Sequence, residues 1–270
     1  MATPRRAYLH VGLDDGSGDV VGDALAAHAH ALLDLRVRRP ADQGATFRAV
    51  IDVLEAHDDW GYERDEVDGA WYDLVGRARR GRDTIVLSEP LLSGASTDRA
   101  RAVVASLDGF DVHAVVTARP PQPWSTTAGP AHDLTEVLPR WADALGAADR
   151  VHVLLGDPAT TWRSLGRGAG FGTASLKVAP SSATPGPVDP AVAAAWREVL
   201  GSSSYDVVGD PALLESGTPT CDTLAEACDA LAEARHELTL LRRRTSDLEE
   251  RLAKVEKKRR KLKRRLAELD

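Results

Sequence analysis

Residues 10–19 read His-Val-Gly-Leu-Asp-Asp-Gly-Ser-Gly-Asp. They follow an apolar run, residues 7–12, whose pattern predicts a buried strand. A loop in that place is where a nucleotide-binding α/β domain cradles phosphates, using converging backbone N–H groups and a cation. Gly12, Gly16, Ser17 and Gly18 are its candidate binding residues. The side-chain charge has the wrong sign, because Asp14, Asp15 and Asp19 stand where a cation is expected. Lys177 is the one lysine before Lys254. Ser88-Glu89 closes a second buried run, at the strand end where ligands collect in open α/β sheets. Glu89 is the best-placed carboxylate for a general base, and its plainer reading is a capping carboxylate. His10 lies near the same crevice, where its plainer reading is a packed strand-end side chain. No metal site is expected: Cys221 and Cys228 are seven apart with no histidine cluster beside them. They read as two reduced thiols, with pairing between chains as the alternative.

The elements that must position these residues alternate. Strands are predicted at 7–12, 35–37, 84–87, 112–117 and 150–155. Helices are predicted at 20–33, 46–56, 65–80, 98–107, 134–145 and 192–200, with Asp19 as an N-cap. Alternation of this kind predicts an α/β fold: a three-layer sandwich with a mainly parallel sheet. The proline-rich loop 120–130 occupies a lid or ligand-contact position. Residues 163–190 read as a flexible connection, since Gly168-x-Gly170-x-Gly172 lacks the sixth-position glycine of a dinucleotide fingerprint. Residues 202–220 read as a linker. One α/β domain over 1–215, a linker over 216–223 and a coiled-coil helix over 224–270 complete the expected organisation.

The 270 residues carry a net charge of −7. That total conceals an asymmetry: residues 222–270 hold 14 basic against 11 acidic side chains, whereas 1–221 hold 20 against 30. Different partners for the two parts are expected. The N-terminal apolar run is too short and polar for a signal core, and no run matches a membrane helix. A cytoplasmic location in a bacterial cell is the expectation.

In the tail, leucines recur every seven residues. With Leu224 as position a, the a series continues through Leu231, Leu238, Thr245, Leu252, Arg259 and Leu266. Position d holds Ala227, Ala234, Leu241, Leu248, Val255, Leu262 and Leu269. This predicts a long coiled coil and a homo-oligomer formed through 224–270, with packing on its own domain or on a partner helix as alternatives. The pairs Glu237–Arg242, Arg244–Glu249, Arg251–Glu256 and Arg265–Asp270 fit parallel strands, and Lys258–Lys263 opposes them. Between Lys254 and Arg265, nine of twelve residues are basic. The plain reading is a solvated flank; the alternative is nonspecific, salt-sensitive contact with nucleic acid or an anionic membrane.

The order of anchors also resembles a known group. Tyr8-Leu9-His10-Val11-Gly12-Leu13 opens it, and Phe47-Arg48-Ala49-Val50 and Gly69-Ala70-Trp71-Tyr72 follow. Thr84-Ile85-Val86-Leu87-Ser88-Glu89, Val112–Arg119, Leu138-x-x-Trp141, Val151-His152-Val153-Leu154 and Thr161-Trp162-Arg163 continue it. Over roughly residues 7–200 this resembles the bacterial sulfotransferase-like branch of the P-loop proteins. The resemblance implies transfer of a sulfuryl group from 3′-phosphoadenosine 5′-phosphosulfate to a glycan or small-molecule hydroxyl. It implies that Arg119, with Thr127 or Ser125, holds the nucleotide 3′-phosphate. The family loop Pro-Lys-Ser/Thr-Gly-Thr-Thr falls on residues 14–19, where its lysine becomes Asp15 and no residue type survives. The expectation is a degenerate, catalytically impaired relative with no bound cofactor, acting by oligomerisation and protein contacts.

Overall fold

The computed structural model describes residues 5–13, 19–122, 129–178, 187–216 and 218–219. In the tail it describes 238, 241, 244, 245, 247, 248, 251, 252, 254, 255, 257, 259 and 260. The strands are β1 (Arg5–Gly12), β2 (Val37–Arg38), β3 (Thr84–Ser88), β4 (Phe110–Ala118), β5 (Val151–Leu155), β6 (Pro187–Val188), β7 (Asp206–Val208) and β8 (Thr218–Pro219). Six form one sheet in the order β2-β3-β1-β4-β5-β7, and every neighbouring pair is parallel. A minor two-stranded sheet joins β6 to β8.

The helices are α1 (Val20–Ala27), α2 (Ala29–Asp34), α3 (Gln43–Leu54), α4 (Arg64–Val67), α5 (Ala70–Ala78), α6 (Thr97–Ser106), α7 (Leu134–Leu145), α8 (Pro158–Ala169) and α9 (Pro190–Ser202). They cover both faces of the sheet. Alternate strand residues Leu9, Val11, Leu87, Ala114 and Val153 pack under α3, α5, α6, α7 and α9. The opposite face, carrying Tyr8, Val86, Val115 and Leu154, is covered by α1, α2 and α8. This is the three-layer α/β arrangement that the alternating pattern predicts, with central strands apolar on both sides.

Several boundaries differ from the sequence expectation. The helix expected over 20–33 breaks at His28, between α1 and α2. The helix expected over 65–80 divides into α4 and α5, because Gly69 adopts φ 74° and starts a new helix. Part of the supposed connection 163–190 is the C-terminal half of α8, which ends where Gly170 turns left-handed. The supposed linker 202–220 contains the edge strand β7 and a 3-10 turn, Pro211–Glu215, that buries Leu214. Three-residue strands carry too short an alternation to register as a period, so β7 is invisible until β5 is present to pair with it.

The long C-terminal coiled coil is not seen as such. The described tail residues are helical, and Arg244, Asp247, Arg251 and Lys254 among them contact the body; the rest of 224–270 lies outside the described residues. Cys221 and Cys228 lie outside them too.

Candidate functional site

The chain leaves β1 for β2 on one side, while β4 lies on the other side. That reversal opens a crevice at the carboxyl ends of β1 and β4, the ligand position of open α/β sheets. A cleft is found there, with His10, Thr117, Arg119, Gly156 and Thr161 on its wall.

The polar floor of this cleft is a hydrogen-bonded array. Asp19 precedes α1 and caps it, its carboxylate accepting from the Gly22 N–H at 2.7 Å. The same carboxylate receives the Ser88 hydroxyl at 2.7 and 2.8 Å to its two oxygens. Ser88 Oγ lies 2.6 Å from His10 Nδ1, and His10 Nε2 lies 3.0 Å from Thr117 Oγ1. His10 Nδ1 stands 3.5 Å from Asp19 Oδ1. Asp19, Ser88 and His10 are all buried. Gln43 adds a long contact to Asp19 at 3.4 Å.

Burial on its own pushes the Asp19 carboxyl up. The His10 hydrogen bond and charge, the Gly22 amide and the Ser88 hydroxyl together outweigh it and hold the group at about 2. Asp19 is therefore ionised at neutral pH and accepts only. Ser88 must then donate its one hydrogen to Asp19, which obliges His10 to donate from Nδ1 to Ser88. In a neutral ring this leaves the Nε2 lone pair facing Thr117 and the cleft.

The sequence-predicted residues are distributed as follows. Gly12 ends β1 with φ 99°, beside a register shift against β4, so a residue tolerant of positive φ is needed there. Arg119 lies on the cleft wall beyond β4. Glu89 is fully buried, and its carboxylate caps the 3-10 turn Pro90–Gly94 with a 3.5 Å contact to the Leu91 N–H. The structure brings Pro90, not Glu89, to the cleft wall. Gly16, Ser17, Gly18 and Thr127, together with Asp14, Asp15 and Ser125, lie outside the described residues.

Sequence reasoning missed the role of Ser88 and the pairing of His10 with Asp19. Asp19 is legible as an N-cap, but nothing in a nine-residue separation shows that the loop returns its carboxylate to β1. Register gives the clue afterwards, since His10 pairs with Ser88 across the β1–β3 ladder.

A second polar cluster lies on the face that carries Tyr8. Asp111, His113, His152 and Asp206 form a chain across β4, β5 and β7, with links of 3.3, 2.9 and 2.6 Å. Tyr8 stacks on His113 at 4.9 Å between centroids. Burial lowers the His113 pKa, and Asp111 works against that. No group of three potential metal ligands occurs among the described residues.

Family models, curated proteins and solved structures give no match to this chain.

Proposed function

We propose that this chain is a degenerate relative of the sulfotransferases, with its anionic-donor site closed by its own carboxylate, and that it acts through assembly and protein contacts. One observation carries the reading: the ionised, buried Asp19 occupies the N-terminus of α1. An N-terminal helix turn holds phosphate by offering free N–H groups and a positive dipole end. Here the Gly22 N–H already binds Asp19 at 2.7 Å. A donor phosphate placed at that end would meet a carboxylate. At about 4 Å and an effective dielectric near 20, that repulsion is on the order of 4 kcal/mol per unit charge pair. In the sequence, two more aspartates, Asp14 and Asp15, precede Asp19 by five and four residues. The assembly half of the proposal rests on the heptad pattern of 224–270 as a homo-oligomerising coiled coil. Equilibrium dialysis with radiolabelled 3′-phosphoadenosine 5′-phosphosulfate tests the first half. The expected result is no retention at micromolar donor, and saturable retention overturns it.

A second reading, a working sulfotransferase acting on a glycan or small metabolite, is favoured by one feature. His10 and Arg119 share the wall of a cleft at the topological switch point. In that reading the base taking the acceptor proton is His10 Nε2 in place of Glu89, because Glu89 is buried in its cap. Donor retention in the dialysis experiment is the result that would favour it.

A further inference from the structure

Three neighbouring strands each end on a side chain that can pass a proton. Strand alternation puts Ser88, His10 and Thr117 on one face of β3, β1 and β4, two residues beyond Val86, Tyr8 and Val115. Asp19, at the start of α1, reaches the same array. The four groups form one line of hydrogen bonds with a fixed direction. Ionised Asp19 can only accept, so Ser88 donates to it and His10 Nδ1 donates to Ser88. The neutral ring then carries a lone pair at Nε2, and the Thr117 hydroxyl, 3.0 Å away, donates to it. With its hydrogen committed to His10, Thr117 Oγ1 keeps its own lone pairs for a partner in the cleft whose wall it helps to form.

A hydroxyl bonded to an imidazole, with that ring oriented by a third group, is the arrangement of an activated nucleophile. Rigid elements hold its parts. Thr117 pairs with Leu154 in the β4–β5 ladder, and its carbonyl accepts the Leu13 N–H at 2.9 Å. His10 is buried, and Asp19 stands 3.5 Å from its Nδ1, placed to stabilise an imidazolium. Thr117 is half-buried, between that array and the cleft. Leu13, Val20, Val21 and Pro158 give the cleft an apolar wall, and Arg119 and Thr161 are side-chain donors on it. An apolar wall in front of a buried carboxylate disfavours an anion and suits an uncharged acyl group.

We propose that Thr117 and His10 are the catalytic pair of an acyl-transfer site that hydrolyses an uncharged carboxylic ester through an acyl-threonine. This goes beyond the donor reading: the charge that turns an anionic donor away leaves a neutral ester free to enter. Thr117 Oγ1 attacks the ester carbonyl carbon while its proton passes to His10 Nε2. A C–O bond forms, and the carbonyl π pair moves onto the carbonyl oxygen, toward which Arg119 and Thr161 can donate. Collapse of that oxyanion breaks the bond to the alcohol, which leaves with the proton from His10 Nε2. Water then attacks the acyl-threonine with His10 again as base, releasing the carboxylic acid and restoring the Thr117 hydroxyl. Ser88 and Asp19 are positioning residues: they fix the tautomer of His10 and stabilise its charged form.

Hydrolysis of p-nitrophenyl acetate by the full chain tests this. The expected course is a burst of nitrophenolate, with one acetyl group on the intact protein that mass spectrometry maps to Thr117. Thr117→Val keeps the shape and removes the hydroxyl, and is expected to lower kcat/KM at least about 100-fold. Thr117→Ser keeps the nucleophile and is expected to retain the burst. Thermal melts show which variants fold; if Thr117→Val folds poorly, His10→Gln carries the test with the same expected loss. Ser88→Ala is expected to lower kcat and leave KM unchanged, since Ser88 orients the ring without touching the ester. A wild-type chain that takes up no acetyl group, acetylation confined to other residues, or a folded Thr117→Val of undiminished rate would each overturn the proposal. The donor reading fails separately: a chain that retains no donor and hydrolyses no ester loses the acyl site and keeps the closed donor site.

Discussion

Asp19 does three things that are seldom asked of one side chain. It caps α1, accepts the Ser88 hydroxyl and fixes the tautomer of His10. Gly22 is shaped by that arrangement, since a Cβ there would collide with the Asp19 carboxylate. The folded pKa of about 2 lies below the ordinary 3.8. The unfolded chain thus binds the proton more readily, and the linkage stabilises the fold by about 2 kcal/mol at neutral pH. That stabilisation is complete above the unfolded value and fades as pH falls through about 2. Asp19→Asn removes it and sets an amide against the Gly22 N–H or Ser88, with an expected loss on the order of 2–3 kcal/mol at pH 7. Urea unfolding of both proteins at neutral pH and near pH 2 checks this. The gap between their midpoints should narrow in acid, and an equal gap at both pH values would contradict the assignment. The cap was legible in the sequence, because aspartate before an apolar periodic run is a strong start signal. Its partners were not, because they arrive from β1 and β3 through sheet register.

Among the elements, legibility followed length and period. Leu134–Leu145 was read to the residue, since Asp133 and Gly146 punctuate a strongly amphipathic run. The buried central strands β3, β4 and β5 were found from their β-branched runs to within a few residues. Elements that depend on one glycine or one neighbour were misread, as α4 with α5 and β7 show. Edge strand β7 depends on Gly209, which follows it at φ 117° with the Leu155 carbonyl where a Cβ would stand. Gly209→Ala should therefore destabilise the body by at least about 1–3 kcal/mol, through both the backbone region and the collision. Gly201→Ala is the matched control: it lies in α9, nothing stands within 4 Å of its Cβ position, and it should be neutral or mildly stabilising. Thermal melts of the two variants decide the point, and equal melting temperatures would contradict it. The acid–imidazole chain through His113 and His152 ties β7 to β5 through Asp206, so the same edge is held by polar contacts as well as by its ladder.

For the whole molecule, charge and patterning divide the chain more sharply than any motif does. An acidic α/β body carries a cleft at its switch point, and a basic helix lies on that body with its leucines outward. The body has the layers and switch-point crevice of an open parallel α/β sheet, and Asp19 caps the first turn of the helix beside that crevice. The function proposed above joins the two: a scaffold whose donor site is closed by Asp19 and which acts through assembly. Calorimetric titration of the full chain with adenosine 3′,5′-bisphosphate tests that account most directly. The account predicts no heat beyond dilution through millimolar nucleotide. A saturable isotherm with a micromolar Kd would contradict it.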